Sequence, residues 1–143
     1  MHIHQISVFL ENRAGQLAEI TKDLAEHNVD LRAISIAETS DYGILRLIVD
    51  DTAQASAVLQ DHEYIYSMTP VVVVPVSDAI GGLAPVLSIL AEAQIDIEYM
   101  YSLFTHREGT AYMVFRTSNE KAFLNQLDTH GITPSTKEEL GLK

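Results

Sequence analysis

The chain contains no cysteine and no tryptophan, only four prolines, and nine lysines and arginines against twenty aspartates and glutamates. Each shortage narrows what the protein does. Without cysteine there is no disulfide, no thiolate nucleophile and no cysteine-based zinc site, a composition compatible with a reducing compartment. The formal net charge of −11 repels phosphate backbones and anionic lipid surfaces, and no lysine or arginine cluster overturns that average, so neither nucleic acid nor membrane is an expected partner. No stretch approaches the roughly 18 apolar residues of a membrane span. The opening MHIHQISVFLEN has neither the basic start nor the long apolar run of a signal peptide, and the expected location is the cytoplasm. What the chain does have is 47% hydrophobic residues in 143, enough for a packed core.

The sequence also repeats itself. Shifted forward by 66 positions, Gly15, Leu17, Ala18, Leu24, Ala25, Glu26, Asp30, Thr39 and Gly43 fall on Gly81, Leu83, Ala84, Leu90, Ala91, Glu92, Asp96, Thr105 and Gly109. The register does not slip. Glycines matching glycines and apolar positions matching apolar ones (Val29 with Ile95, Leu31 with Ile97, Val49 with Phe115) mark two copies of one structural unit. The copies divide the chain into residues 1–69 and 70–143, with only a few residues around Thr69 and Pro70 to join them.

Periodicity gives each copy a shape. Residues 3–10 are rich in β-formers, and Leu17, Ile20 and Leu24 then recur at helical spacing. A strand over 29–38, turn chemistry at Asp41-Tyr42-Gly43 and a strand over 44–49 make a hairpin. Asp51 or Thr52 can cap a second helix striped by Ala55, Val58 and Leu59, and a short strand over 64–68 closes the unit. The second copy repeats the script: a strand over 71–76, a helix striped by Leu83, Val86 and Leu90, a hairpin around Gly109, and a helix carrying Phe123, Leu124 and Leu127. Thr117 and Glu120 fit a capping box for that last helix. Residues 131–134 make a poor fourth strand, and 135–140 read as a final helical turn. Pro75 is expected at a strand end or bulge, because proline cannot donate to a ladder. The order βαββαβ, twice, predicts α+β architecture: two ferredoxin-like units, each an antiparallel sheet with its helices on one face. The opposite face is apolar in Arg32-Ala33-Ile34-Ser35-Ile36 and Tyr99-Met100-Tyr101-Ser102-Leu103-Phe104, which points to a homodimer.

The loop between first strand and first helix is where ligand chemistry is expected in each copy. Asn12-Arg13-Ala14-Gly15-Gln16-Leu17 and Asp78-Ala79-Ile80-Gly81-Gly82-Leu83 share the form Asn/Asp-x-x-Gly-x-Leu. Glycine lets backbone approach a ligand, and the amides at the positive end of the helix dipole attract a carboxylate. The Asn or Asp side chain suits an ammonium or hydroxyl, so the loop offers complementary groups to an α-amino acid. The same residues also serve as ordinary turn formers.

On these residues the chain resembles the ACT-domain family, in particular its free-standing tandem members, over essentially its whole length. The loop is similar to the family's Asn/Asp-x-Pro-Gly-x-Leu, and Asn28-Val29-Asp30-Leu31 and Gln94-Ile95-Asp96-Ile97 resemble its following Asn-Val-Asp-Leu segment. Ala14 and Ile80 stand where the family usually has proline. The resemblance implies a ferredoxin-like fold, amino-acid binding at loops and domain interfaces, and a regulatory rather than catalytic role. By position, Asn12, Gly15, Asp78 and Gly81 are its ligand-loop residues.

Other groups carry less. His2 and His4 alternate along a strand without a third ligand, and His27 and His130 sit beside helix C-termini where a cation is favoured. Tyr64, Tyr66, Tyr99 and Tyr101 suit an interface or a cavity wall. No nucleophile–base pair or metal set is legible, so no enzyme activity, cofactor or metal is expected. The expected function is a small-molecule sensor that binds an amino acid or related metabolite and signals to a metabolic enzyme or regulator; the alternative is a regulatory subunit of an amino-acid biosynthetic enzyme that acts without ligand.

Overall fold

In a computed structural model, which describes residues 2–11, 13–38 and 41–143, the chain folds as two compact units. One is built on His4–Thr69 together with Gly141–Lys143; the other is built on Pro70–Leu140 together with His2 and Ile3. The elements run β1 (Ile3–Glu11), α1 (Gln16–Glu26), β2 (Leu31–Glu38), β3 (Tyr42–Val49), α2 (Thr52–Asp61), β4 (Tyr66–Ser77), α3 (Ala84–Glu92), β5 (Ile97–Ser102), β6 (Thr110–Thr117), α4 (Glu120–Thr129) and α5 (Lys137–Leu140).

The first unit has strand order β2-β3-β1-β4, with β1 and β2 antiparallel to β3. Alternation along the strands sends Ile6, Val8, Leu10, Leu45 and Leu47 to one face, where they meet Ile20 and Leu24 of α1 and Ala55, Val58 and Leu59 of α2. Both expected stripes are thus the buried ones. Asp51 caps α2 by accepting from the Gln54 N–H at 3.1 Å. On the far face Ala33 and Ile48 are fully buried, while the rings of Phe9 and Tyr42 stay 46% and 42% exposed, 5.9 Å apart.

The second unit repeats the plan with order β4-β6-β5. Val72, Val74, Val76 and Phe115 meet Val86, Leu90, Phe123 and Leu127, and the Phe115 and Phe123 rings pack edge to face at 5.4 Å. In place of a fourth strand the backbone N–H of Ser135 donates to the Val73 carbonyl at 2.8 Å, and α5 follows.

Three sequence expectations are corrected. The strands expected over 64–68 and 71–76 are not two: residues 66–68 and 71–76 belong to β4, a single strand that starts at Tyr66 and passes through Pro70 and Pro75. Pro75 lies inside the strand, two residues before its end, in register with Tyr112 and with no bulge there. Val73, two residues earlier, turns its carbonyl away from β6 toward Ser135, so Pro75 faces the same way and its missing N–H removes no bond to β6. The cap of α4 is Asn119, whose side chain accepts from the Ala122 N–H at 3.0 Å. Thr117 is instead the last residue of β6, and its buried Oγ1 has no partner among the described residues.

Candidate functional site

Gly15 starts α1 in the left-handed conformation, φ 86°, and no side chain among the described residues caps the helix. The first amides of α1 therefore open toward the loop with the positive end of the dipole behind them. Asn12, the expected polar residue of this loop, lies outside the described residues. Arg13 and Ala14 are exposed, and Leu17 packs against the first core. The backbone N–H of Arg13 donates to the Glu11 carbonyl at 2.8 Å, while its guanidinium reaches Glu11 at 3.5 Å and Glu19 at 3.1 Å. Pairs this exposed are weakly held, so the guanidinium is available to another anion.

Beside this loop a hollow of about 180 Å³ is lined by Leu10, Glu11, Arg13, Gln16, Leu17, Ile36, Glu38 and Gly43. A second hollow of about 300 Å³ shares Leu10, Glu11 and Gln16 with it and extends past Tyr42, Glu63 and Tyr64. Gln16 stands where the two meet. It is 8% exposed, and its Oε1 is buried with no hydrogen-bond partner among the described residues. An unpaired buried carbonyl costs about 1–3 kcal/mol, which a donor on a bound molecule would recover. Gly43 sits opposite both Leu10 and Glu38 in the sheet, and a Cβ there would meet the Leu10 Cβ and Ile36 Cδ1 at 3.9 Å without clash. The absent side chain leaves the floor of the hollow open. Burial, helped by Asp23 and Glu19, pushes the Tyr64 phenol up from its ordinary pKa, so it remains a hydrogen-bond donor at the rim of the second hollow.

The second loop is built differently. Gly81 is left-handed at φ 80°, the Gly82 N–H donates to the Ala79 carbonyl at 3.0 Å and the Ala84 N–H to Gly81 at 3.3 Å. The Asp78 N–H donates to the Gly109 carbonyl at 3.1 Å. A Cβ on Gly82 would overlap the Ser77 carbonyl, so this position tolerates glycine alone. Ile80 projects fully into solvent, and Leu83 packs against the second core. Across the 66-residue repeat Glu11, Arg13, Gln16 and Glu38 become Ser77, Ala79, Gly82 and Phe104. Each charged or amide side chain that lines the first hollow is missing from the matching place in the second copy.

The hairpin residues Ile36, Glu38 and Gly43 were not expected at the ligand site from the sequence, although Ile36 and Gly43 were noted there for the open face and the turn. The glycine match of Gly43 with Gly109 was the signal for one of them. The histidines end helices: His27, His62 and His130 each direct Nδ1 to the carbonyl four residues back, at 2.7, 2.9 and 2.8 Å. The bond to Val58 is the main reason that the His62 pKa is raised, against its partial desolvation, and Asp23 at 3.7 Å adds to it. Tyr64 and Tyr66 pack against the first core, and Tyr99 and Tyr101 stack with centroids 6.5 Å apart. Among the described residues no group of three or more histidines and carboxylates is placed to hold a metal ion, and no helix is long and apolar enough to cross a membrane.

Two ferredoxin-like βαββαβ units in tandem, with an open helix start beside a small polar hollow in the first, define a paired α+β fold. A family model, the ACT domain pair, matches residues 1–128, and the chain belongs to that family. Among solved structures it is similar to protein BT0572 from Bacteroides thetaiotaomicron, at 37% identity and TM-score 0.89 over 99% of this chain and 96% of that one. The fold is shared with the ligand-free regulatory subunit of aspartate kinase from Thermus thermophilus (15% identity, TM-score 0.62, 88% and 91% of the chains) and that from Thermus flavus (17%, 0.59, 90% and 93%). No curated protein matches.

Proposed function

We propose that this protein is a regulatory module that binds a small amino acid, or a metabolite with the same ammonium and carboxylate groups, in the hollow of its first unit. The observation that carries the reading is the buried Oε1 of Gln16 at the wall of that hollow, which has no hydrogen-bond partner among the described residues. The ligand's ammonium donates to this oxygen and lies between Glu11 and Glu38. Its carboxylate meets Arg13 and the amides at the start of α1, and its side chain rests on Leu10, Leu17 and Ile36. At about 30 Å³ per water-sized group, the hollow has room for roughly six such groups, which favours a small ligand.

The second loop serves structure in this reading, because its polar positions have become Ser77, Ala79 and Gly82. Family membership supports a regulatory output, and the aspartate kinase regulatory subunits with the same fold make an amino-acid-biosynthetic enzyme the partner to test first. A ligand regulates only through different affinity for two states, so binding must change how the module meets that partner. The exposed Phe9 and Tyr42 rings support a homodimer as the working assembly, checked by sedimentation.

A thermal-shift screen against the twenty amino acids tests the reading. At least one should raise the wild-type melting temperature, and Arg13→Ala should lose that rise while Asp78→Ala keeps it. No response to any of them, or loss in the Asp78 variant alone, rejects the assignment.

A further inference from the structure

The second unit contains a hollow of its own, about 260 Å³, on the side of β4 away from β6. It lies where the first unit has its fourth strand and the second has only the segment around Ser135. Val71, Val72, Val73, Ile3, Leu124 and Pro134 make apolar walls, and His2, Ser135 and Thr136 bring polar groups to it. Three observations single it out. Ser135 is 7% exposed and its Oγ has no hydrogen-bond partner among the described residues. Its backbone is fixed beside the hollow, because its N–H donates to the Val73 carbonyl at 2.8 Å. Beside it the Thr136 Oγ1 accepts from the Glu139 N–H at 3.2 Å, which occupies a lone pair and leaves the hydroxyl hydrogen to give.

We propose that this hollow is a second ligand site, independent of the first-unit hollow, for a short aliphatic carboxylate. The polar end offers donors: the hydroxyls of Ser135 and Thr136, and an imidazole at His2, which lies 3.5 Å from Glu120 on α4. Donors converging at one end call for an acceptor, and a carboxylate takes several at once. The remaining wall is valine, isoleucine, leucine and proline, which pairs with a hydrocarbon body and with no second polar group. At about 30 Å³ per water-sized group the space admits roughly eight such groups, enough for a five-carbon acid. An α-amino acid would bring an ammonium against these donors, so the two hollows select different chemistry.

Isovalerate is the probe, with isoamyl alcohol as the control of equal carbon skeleton, each titrated into the ¹⁵N-labelled full chain. Isovalerate should shift the amide signals of Val72, Val73, Ser135 and Thr136 and leave those of Arg13 and Gln16 in place, and the alcohol should bind at least tenfold more weakly. Ser135→Ala should weaken isovalerate at least tenfold while the unliganded chain melts no lower than wild type, because the lost hydroxyl has no partner among the described residues. A melting temperature lowered by several degrees in Ser135→Ala would place the hydroxyl in a structural bond and overturn the proposal. So would the absence of shifts at millimolar isovalerate, shifts confined to the first loop, or equal binding of the alcohol. Since the first hollow is read out at Arg13 and Gln16, failure of either site is seen separately.

Discussion

Gln16→Met separates a ligand site from an accident of packing. Gln16 is 8% exposed in the first turn of α1, and its Oε1 has no partner among the described residues. Methionine has the same unbranched length, a comparable helix propensity and no polar atom to desolvate. Burying a carbonyl without a partner costs about 1–3 kcal/mol, and an apolar replacement of similar shape removes that cost. Part of the gain is offset because the amide end of the side chain also leaves, so a stabilisation of about 1 kcal/mol is the working figure. For a chain of this size that corresponds to a rise of roughly 2–4 °C in melting temperature if the units unfold together, and to more if the first unit melts alone. The assay is calorimetric melting of wild type and variant, with and without the amino acid found by screening. Without ligand the variant should melt higher; with ligand it should show little or none of the wild-type shift. A variant destabilised by more than about 1 kcal/mol would mean that Oε1 is already satisfied in the folded chain, and the reasoning from it would fall.

Further outcomes follow from the same geometry. Gly43→Ala adds a Cβ that meets only contacts of 3.7–3.9 Å, so it should stabilise β3 by about 0.4–1 kcal/mol while filling the floor of the hollow and weakening the amino acid, as read by titration calorimetry. Gly82→Ala should cost more than Gly15→Ala in urea melts: both loops are left-handed or tightly turned, but only at Gly82 would the new atom overlap backbone, whereas Gly15 has open space and pays about 1–2 kcal/mol for its positive φ. Asn119→Ala should lose about 1 kcal/mol with the cap of α4, and Thr117→Val should lose nothing. Because the folded-state pKa of His62 is raised, its contribution to stability is complete below the ordinary histidine value of 6.5 and is lost as pH rises through the folded value; His62→Gln should flatten that part of the pH profile of the urea midpoint, and an unchanged profile would exclude His62 as its source.

The helices were legible because their stripes are local: Ile20 and Leu24, or Val86 and Leu90, announce a buried face whatever lies across from it. The hairpins were legible for the same reason, and the cap of α2 was narrowed to Asp51 or Thr52, of which Asp51 is the one. The continuity of β4 was not, because proline reads as a breaker until the strand's neighbours determine which way its nitrogen points. The cap of α4 was misplaced by two residues because Thr117 and Asn119 are both accepted cap types, and the end of β6 at Thr117 decides between them. At the candidate site the loop was visible as a motif. Its partners Ile36, Glu38 and Gly43 were not, since they reach the loop through sheet pairing from a distant part of the sequence. The repeat pointed to two similar loops, and only packing reveals what the change from Gln16 to Gly82 does: one position presents a buried acceptor to a hollow, and the other presses backbone against Ser77.

Titration calorimetry of the full chain with the amino acid selected by the thermal-shift screen tests the central claim most directly. The account predicts one ligand per chain, lost in Arg13→Ala and Gln16→Met and kept in Asp78→Ala. Two ligands per chain at matching loops, or a single one that survives both first-loop changes, would contradict it.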